Sequence, residues 1–562
     1  MGQMIMISAV FAVIAAVLLV PLNGKLSKKE ISTKAKWTSL AVIFVVTFIA
    51  GVCTLYFIKI DMQWSVMLYV LPFVALFGAI IATGMEQKMK TFIVLLSIVA
   101  MAYLLGAFLM NADEKYESAK MEEAVEIEPF DETKTPASVP PKLAKNKMKK
   151  AFSQVPNTSY YELGNLQIQK VAGEYVYVAP VEFSGLFKWF QGKTTPGYFT
   201  LSATDSSANP KFVEQEMTYI PSAYFNNNLE RYMRLQYPMH VFYGVPQLEI
   251  DEDGKPYYIR TYGEFISARN GFDVKGIIMV DAATGDTEQF ALKDVPAFID
   301  GVVSPEAVSL QNSYYGTYVH GFWNSLLGKK DVKLPSDEGT ESNVSPIFDE
   351  NGEMFYFTDF TSPKEGVDSM LGYSLTNART GKATYYSGSA EEAYMDSKGA
   401  LEIVEKKFIE KKWTGEMPLL YNFYGEVSWL VPVLDSNGFL QNYFIVSAAN
   451  QEISAFGSTP NEALRLYKTA LAKGSGAVNA IGDAAEEKVS GTVVRVHKEQ
   501  SEQATIVYFL LATGENFIVN TESNPLAIYL QQGDAVDVTY MQTNEQFLPV
   551  KTVTITGLPN LN

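Results

Sequence analysis

Residues 91–110 read TFIVLLSIVAMAYLLGAFLM, twenty positions without a charged side chain. A bilayer core about 30 Å thick takes about 20 apolar residues of helix, so this stretch predicts a membrane span. Three more stretches reach that length with no charge in their interiors: Met4–Leu22, Trp37–Ile60 and Trp64–Thr83. The reading is therefore a four-helix transmembrane domain over 1–110, with Pro21 closing the first helix and Pro72 expected to kink the third. Ala75, Gly78, Ala79, Ala82 and Thr83 line the third segment with small residues, which lets helices approach closely. No ionisable residue lies inside the spans to mark an ion path, so a packed anchor is expected instead of a channel.

Lysines orient the spans. Lys25, Lys28, Lys29, Lys34 and Lys36 crowd the loop after the first segment, and Lys88 and Lys90 precede the fourth. After the fourth come Asp113, Glu114, Glu117, Glu122 and Glu123. Because positive loops stay in the cytoplasm, both termini and everything past Asn111 are expected outside. No Lys or Arg precedes Lys25 and no A-x-A-like site follows the first segment, so that segment reads as a retained helix.

The formal charge is −17, with the excess acid lying after Asn111. Such a surface repels phosphate backbones and argues against nucleic acid as a partner. Cys53, the only cysteine, lies in an apolar run, so no disulfide forms within the chain. An exported part that large with no cysteine fits a bacterial cell envelope.

Residues 111–150 pass from acids through the prolines of Thr133–Pro141 to five lysines in Lys142–Lys150, and read as an extended stalk or linker. Beyond it one pattern recurs four times. A strand ends in a small or polar residue plus alanine, and a tight turn follows: Ser202-Ala203-Thr204, Asp281-Ala282-Ala283-Thr284-Gly285, Asn377-Ala378-Arg379-Thr380-Gly381 and Ser447-Ala448-Ala449-Asn450. Glycine or asparagine accepts the positive φ that such a turn needs. Strands Tyr175–Val181, Tyr257–Tyr262, Met354–Thr358 and Val427–Val433 accompany these turns. Acidic turns Asp251–Gly254 and Asp349–Gly352 lead into two of those strands. Helical segments Leu143–Phe152, Asn228–Gln236, Tyr315–Leu327 and Gly399–Trp413 stand upstream. The expected unit is a helix on an antiparallel sheet, repeated as an α+β array over 151–215, 216–300, 301–390 and 391–472. It resembles PepSY-like and cystatin-like modules, whose last hairpin carries a D-x-x-T-G-type turn. The resemblance implies protein binding or restraint of a peptidase, and transfers no site residue.

After a linker over 473–487, five short strands between Ser490 and Thr556 suggest a small OB-like β-barrel over 488–562. From Glu486 onward nine acids face four bases, which opposes single-strand binding. His240, His320 and His497 have no metal partner at motif spacing, and Asp251–Gly254 does not follow the EF-hand pattern. Ser387-Gly388-Ser389 has no base nearby in sequence, and no nucleophile elbow or phosphate loop is present. The sequence thus predicts no catalytic residue, no cofactor and no metal site. It predicts a multi-pass membrane protein whose extracellular part binds a protein partner or a second copy. The alternatives are a regulator of an extracellular peptidase and a sensory subunit of a membrane complex.

Overall fold

Residues 1–110 form α1 (Gly2–Leu19), α2 (Thr33–Phe57), α3 (Leu71–Ile81) and α4 (Gly84–Met110) in a computed structural model of the chain. The structure describes residues 1–23, 25–26, 29–124, 139–349, 352–364, 369–387, 393–474, 486–500, 505–521, 524–541 and 547–558. Lys28, most of the Thr133–Pro141 stretch, the middle of the Asp349–Gly352 turn, Gly388 and Ser389, and most of the 473–487 linker lie outside these residues.

α1, α2 and α4 are long and apolar enough to cross a membrane. The third apolar segment differs from the expected single helix. It is a 3-10 turn over Trp64–Tyr69 followed by the eleven residues of α3. Pro72 sits in the first turn of α3, where its missing N–H costs nothing, so it starts the helix instead of kinking it. The small-residue face of α3 does pack: Ala75 and Ala79 are buried with Leu18 and Val94, and Gly78 lies so close to the Leu18 carbonyl that a Cβ would collide with it.

The chain folds as two compact units, one spanning Met1–Glu126, Thr133–Leu419 and Leu434–Leu440, the other chiefly Leu420–Val433 and Gln441–Asn562. Besides the two-stranded pair Lys25–Leu26 and Lys29–Glu30, the first contains three larger sheets with antiparallel centres. Glu174–Phe183 and Thr195–Ser202 form the centre of the first, Pro256–Glu264 and Asp273–Asp281 of the second, and Met354–Thr361 and Ser369–Asn377 of the third.

The expected stalk is ordered at both ends. Residues after α4 form α5 (Ala112–Ser118), and Glu122–Ala124 joins the third sheet parallel to Ala383–Tyr386. α6 (Pro141–Ala151) buries Leu143, Ala144 and Met148 in the same core as Tyr177 and Phe199 of the first sheet. Its lysines flank an apolar stripe, so the segment is an amphipathic helix. The short α7 (Leu186–Gly192) connects the central strands of the first sheet. α8 (Leu229–Gln236) is capped by Asn228, whose Oδ1 accepts from Arg231 N at 3.1 Å. Its Leu229 and Met233 pack on Leu248, Tyr258 and Ile278 of the second sheet. Each such side chain contributes about 1.5–3 kcal/mol of burial.

The helix expected at Tyr315–Leu327 lies earlier. α9 (Pro305–Thr317) begins at its Ser304 cap, and α10 (Gly321–Trp323) is a separate piece continued by a π turn over Asn324–Gly328. α9 meets the third sheet through Asn312, which donates to Thr358 Oγ1 at 2.9 Å and accepts from Ser374 Oγ. α11 (Ser397–Lys407) closes the series in this unit.

Chiefly in the second unit, Leu419–Phe423, Glu426–Leu434, Leu440–Ser447 and Ser454–Gly457 build a sheet backed by α12 (Pro460–Gly474). Tyr467 of α12 is buried, with its hydroxyl 2.8 Å from Ser428 Oγ. Five strands then close a barrel in the order Glu486–Gln500, Thr505–Leu511, Asn516–Asn520, Leu548–Ile555, Ala535–Met541, the third and fourth of these being parallel.

One side chain from the β-rich part finishes α2. Arg234 of α8 is buried and donates to the carbonyls of Leu55 (2.7 Å), Tyr56 (3.0 Å), Ile58 and Ile60 (3.2 Å). Desolvation, with Arg231 and Arg260 nearby, pulls its pKa down to about 10, still well above neutrality. Replacing the guanidinium fork by a single ammonium leaves carbonyls unpaired, at about 1–3 kcal/mol each. Arg234→Lys is therefore expected to lower the thermal midpoint of the detergent-solubilised protein, whereas Arg231→Lys, whose half-buried guanidinium reaches the Tyr56 carbonyl alone in α2, lowers it less.

A candidate binding pocket around Glu182

In the run Tyr175–Phe183, YVYVAPVEF, Glu182 is the only charge, and it lies in the stretch of the strand that is buried on both faces. The strand is central because Tyr161–Leu163 and Gln167–Val171 pair on one side of it and Thr195–Ser202 on the other. The register sets Glu182 directly opposite Glu162. Like charges in that relation destabilise a sheet, so the pair marks a place where stability is given up.

Around these carboxylates lies a cavity of about 360 Å³, lined among others by Lys145 of α6, Asn165, Gln167, Ser222 and Tyr258. That volume suits a small molecule or one large side chain. Gly164 is held against Pro180 and Glu182, where a Cβ would collide with both. Glu182 itself is buried and fully engaged. Its Oε2 accepts from the Ser222 N–H at 3.0 Å and from the Ser222 hydroxyl, and its Oε1 accepts from the Tyr258 hydroxyl at 3.2 Å. Burial outweighs these bonds and, with Glu162 nearby, pushes the carboxyl up to about 7. Burial and the Glu182 charge likewise push the Tyr258 phenol up.

The site can hold a cation or give up a proton near neutrality. It has two acids and two hydroxyls, and both hydroxyls donate to the Glu182 carboxyl, which holds them in place. Other acids with raised pKa values lie outside this pocket. Burial raises Asp359 to about 6, against hydrogen bonds from Ser397. Burial and the Glu306 charge raise Glu341 to about 7.

The three histidines fall on separate elements. His240 stacks on Tyr262 at 4.4 Å, His320 pairs with Asp331 at 2.8 Å, and His497 lies opposite Tyr508 on the neighbouring barrel strand. Asp251 accepts from the backbone N–H groups of Asp253 and Lys255, the geometry of a turn. Among the described residues no three His, Cys, Asp or Glu side chains are placed to hold a metal ion. Motif reading missed Glu162 and Glu182 because they belong to no spaced pattern. The available signal was the single acid inside an apolar strand.

No protein-family model and no curated protein sequence matches the chain. Among solved structures, an alpha-L-arabinofuranosidase from Lactobacillus brevis aligns over 70% of this chain and 96% of its own at 10% identity, with a TM-score of 0.18. A thermostable family-43 glycoside hydrolase aligns over 50% and 71% at 11% identity and 0.16. A Trypanosoma rangeli sialidase aligns over 71% and 55% at 9% identity and 0.15. Scores this low establish no common fold, and no activity is carried over from these enzymes.

The raised carboxyl has a pH consequence. In the folded chain Glu182 holds its proton to about 7, against 4.5 for an ordinary carboxyl, so the native state binds more protons between those values. Stability therefore falls as pH rises from about 4.5 to 7, by on the order of 3 kcal/mol from this group. Glu341 and Asp359 add to the same window. Glu182→Gln is expected to flatten the slope of unfolding free energy over that range without abolishing it; a slope identical to wild type contradicts the assignment.

Proposed function

We propose that this chain is a multi-pass membrane protein of the bacterial cell envelope whose extracytoplasmic part binds a protein partner or a second copy, with no catalysis of its own. The observation that carries the reading is the Glu162–Glu182 pocket, a concave site with two carboxyls and the single ammonium of Lys145 in its lining. It suits a basic group, such as a lysine or arginine side chain of a partner, entering between Asn165 and the carboxylates. Nucleic acid does not fit an acidic pocket.

Four passes and an outside location for both termini agree with several contacts. The Met1 ammonium donates to the Leu235 carbonyl at 3.1 Å, and Asp61, after α2, forms a bidentate pair with Arg269. At the opposite helix ends, Leu22 and Asn23 donate to Glu86, and Lys90 donates to the Val20 carbonyl. The lysine-rich loops belong to that second end, which the positive-inside rule assigns to the cytoplasm. In this reading the 3-10 turn and α3 together make the third pass.

The PepSY-like and cystatin-like reading of the repeats draws support from the four turns. Ser202, Asp281, Asn377 and Ser447 each accept, through a side-chain oxygen, from the N–H groups two and three residues on. Each is followed by a buried alanine. The barrel's strand order and its one parallel pairing favour the OB-like reading.

A sensory role is the second reading, favoured by an unbroken path. Glu182 holds Ser222; Pro221 accepts from the side chain of Asn228 at 2.7 Å; Asn228 caps α8; and Arg234 of α8 caps α2. Regulation of an extracellular peptidase is compatible with the same pocket.

A photo-crosslinking side chain at Asn165 in intact cells is expected to give a discrete adduct that Glu162→Lys removes. A folded protein giving no adduct, or one indifferent to Glu162→Lys, contradicts pocket binding. Reporters fused after Asn111 that behave as cytosolic contradict the topology.

A further inference from the structure

Among the described residues between 111 and 419, the most exposed large apolar side chains are Phe187 (79%), Leu327 (76%), Ile409 (71%) and Trp323 (65%). Ile409 stands apart in sequence. The other three lie in two short segments: one touches the end of α4 directly, and the other reaches the end of α2 through Phe225 and Arg231.

The first segment is α7. Phe187 and Phe190 are exposed beside Trp189, whose ring lies 5.0 Å from Phe190 and 5.9 Å from Phe225. The Phe225 carbonyl accepts from Arg231 at 2.7 Å, and the Arg231 guanidinium lies 4.7 Å over Tyr56 in the last turn of α2. Lys188 and Lys193 flank the rings, with the Lys193 ammonium 5.0 Å over Phe190. The second segment is α10 with its π turn. Trp323, Leu326 and Leu327 stand at i, i+3 and i+4, all exposed, so the apolar face of a helical piece is turned outward. Phe322 packs edge-on against Phe108 in the last turn of α4, ring centres 5.6 Å apart. Lys329 and Lys330 follow at once and are exposed.

An outward apolar face is costly in water, and these two segments share their composition with interfacial membrane elements. They combine aromatic rings, aliphatic side chains and flanking lysines, at the level where the spans emerge. We propose that α7 and the α10 segment dip into the headgroup layer of the outer leaflet, so that the β-rich region binds the lipid surface directly. Continuity with Tyr56 and Phe108 argues for lipid as the occupant, because both contacts lie in the final turns of helices read as spans. Lysines beside the rings suit phosphate headgroups. The inference rests on the topology proposed above.

The test uses the full chain with Cys53→Ala and single cysteines introduced as Phe187→Cys, Leu327→Cys or, in mid-α4, Leu96→Cys. Each is labelled with bimane and reconstituted into phosphatidylcholine–phosphatidylglycerol vesicles. All three positions are exposed, so the changes disturb no packing. Labels at 187 and 327 are expected to lose emission to nitroxides carried near the lipid headgroup and to resist aqueous iodide. The label at 96 is expected to be quenched by nitroxides deep in the acyl chains. Iodide quenching at 187 and 327 without lipid quenching overturns the proposal, as does protection from both quenchers, which signals a covering protein or second copy. No deep quenching at 96 overturns the spanning reading itself.

Discussion

The last carbonyls of α2 have no partner within the helix and must find donors outside it. Arg234 meets that requirement from another element, spreading one guanidinium over the carbonyls of Leu55, Tyr56, Ile58 and Ile60. The positive group also faces the negative end of the helix dipole. Such a bond set works only if α8 is held rigidly. That explains the Asn228 cap and the packing of Leu229 and Met233 on the second sheet. Asp61 with Arg269, and the Met1 ammonium with Leu235, add contacts at the same end. The β-rich part of the first unit is therefore fixed to the apolar helices by directed bonds, not merely tethered to them.

The turns supply the second constraint. At Asp281 and Asn377 the side-chain oxygen ties down two N–H groups, and a glycine four residues on takes φ of +81° and +71°. The alanine between them is buried because its N–H must reach the start of the neighbouring strand: Ala282 to Pro256 and Ala378 to Met354. A larger side chain would force that edge apart. The same demand on Ala203 and Ala448, which bond Tyr175 and Val427, explains why a short pattern survives where little else repeats.

These turns were legible in the sequence because their chemistry is local: an oxygen, a small residue and a positive-φ position within five residues. The apolar spans were legible for the same reason, since length and the lack of charge suffice. Other features depended on distant partners. Glu122–Ala124 reads as acidic linker until Ala383–Tyr386 offers an edge, and Lys142–Lys150 reads as a charged run until the first sheet accepts Leu143 and Met148. Pro72 misled in another way: a proline inside an apolar stretch starts a helix as readily as it bends one, and only the 3-10 turn before it shows which. The pocket was hidden most deeply, because Glu162 and Glu182 become neighbours only through strand register.

That register brings the two constraints together. A buried carboxyl opposite another acid is tolerated here because Ser222 and Tyr258 satisfy its oxygens, and Ser222 is positioned by the same loop that delivers Pro221 to Asn228. The hydrogen bonds that stabilise the acid thus lie in series with the bonds that hold α8 and, through Arg234, the end of α2. Ionising Glu182 strengthens the bonds from Ser222, because charged acceptors bind more tightly than neutral ones. Protonation weakens them. In the binding reading proposed above, a cation entering the pocket favours the ionised form, and its binding is linked through Ser222 to the bonds that support α8.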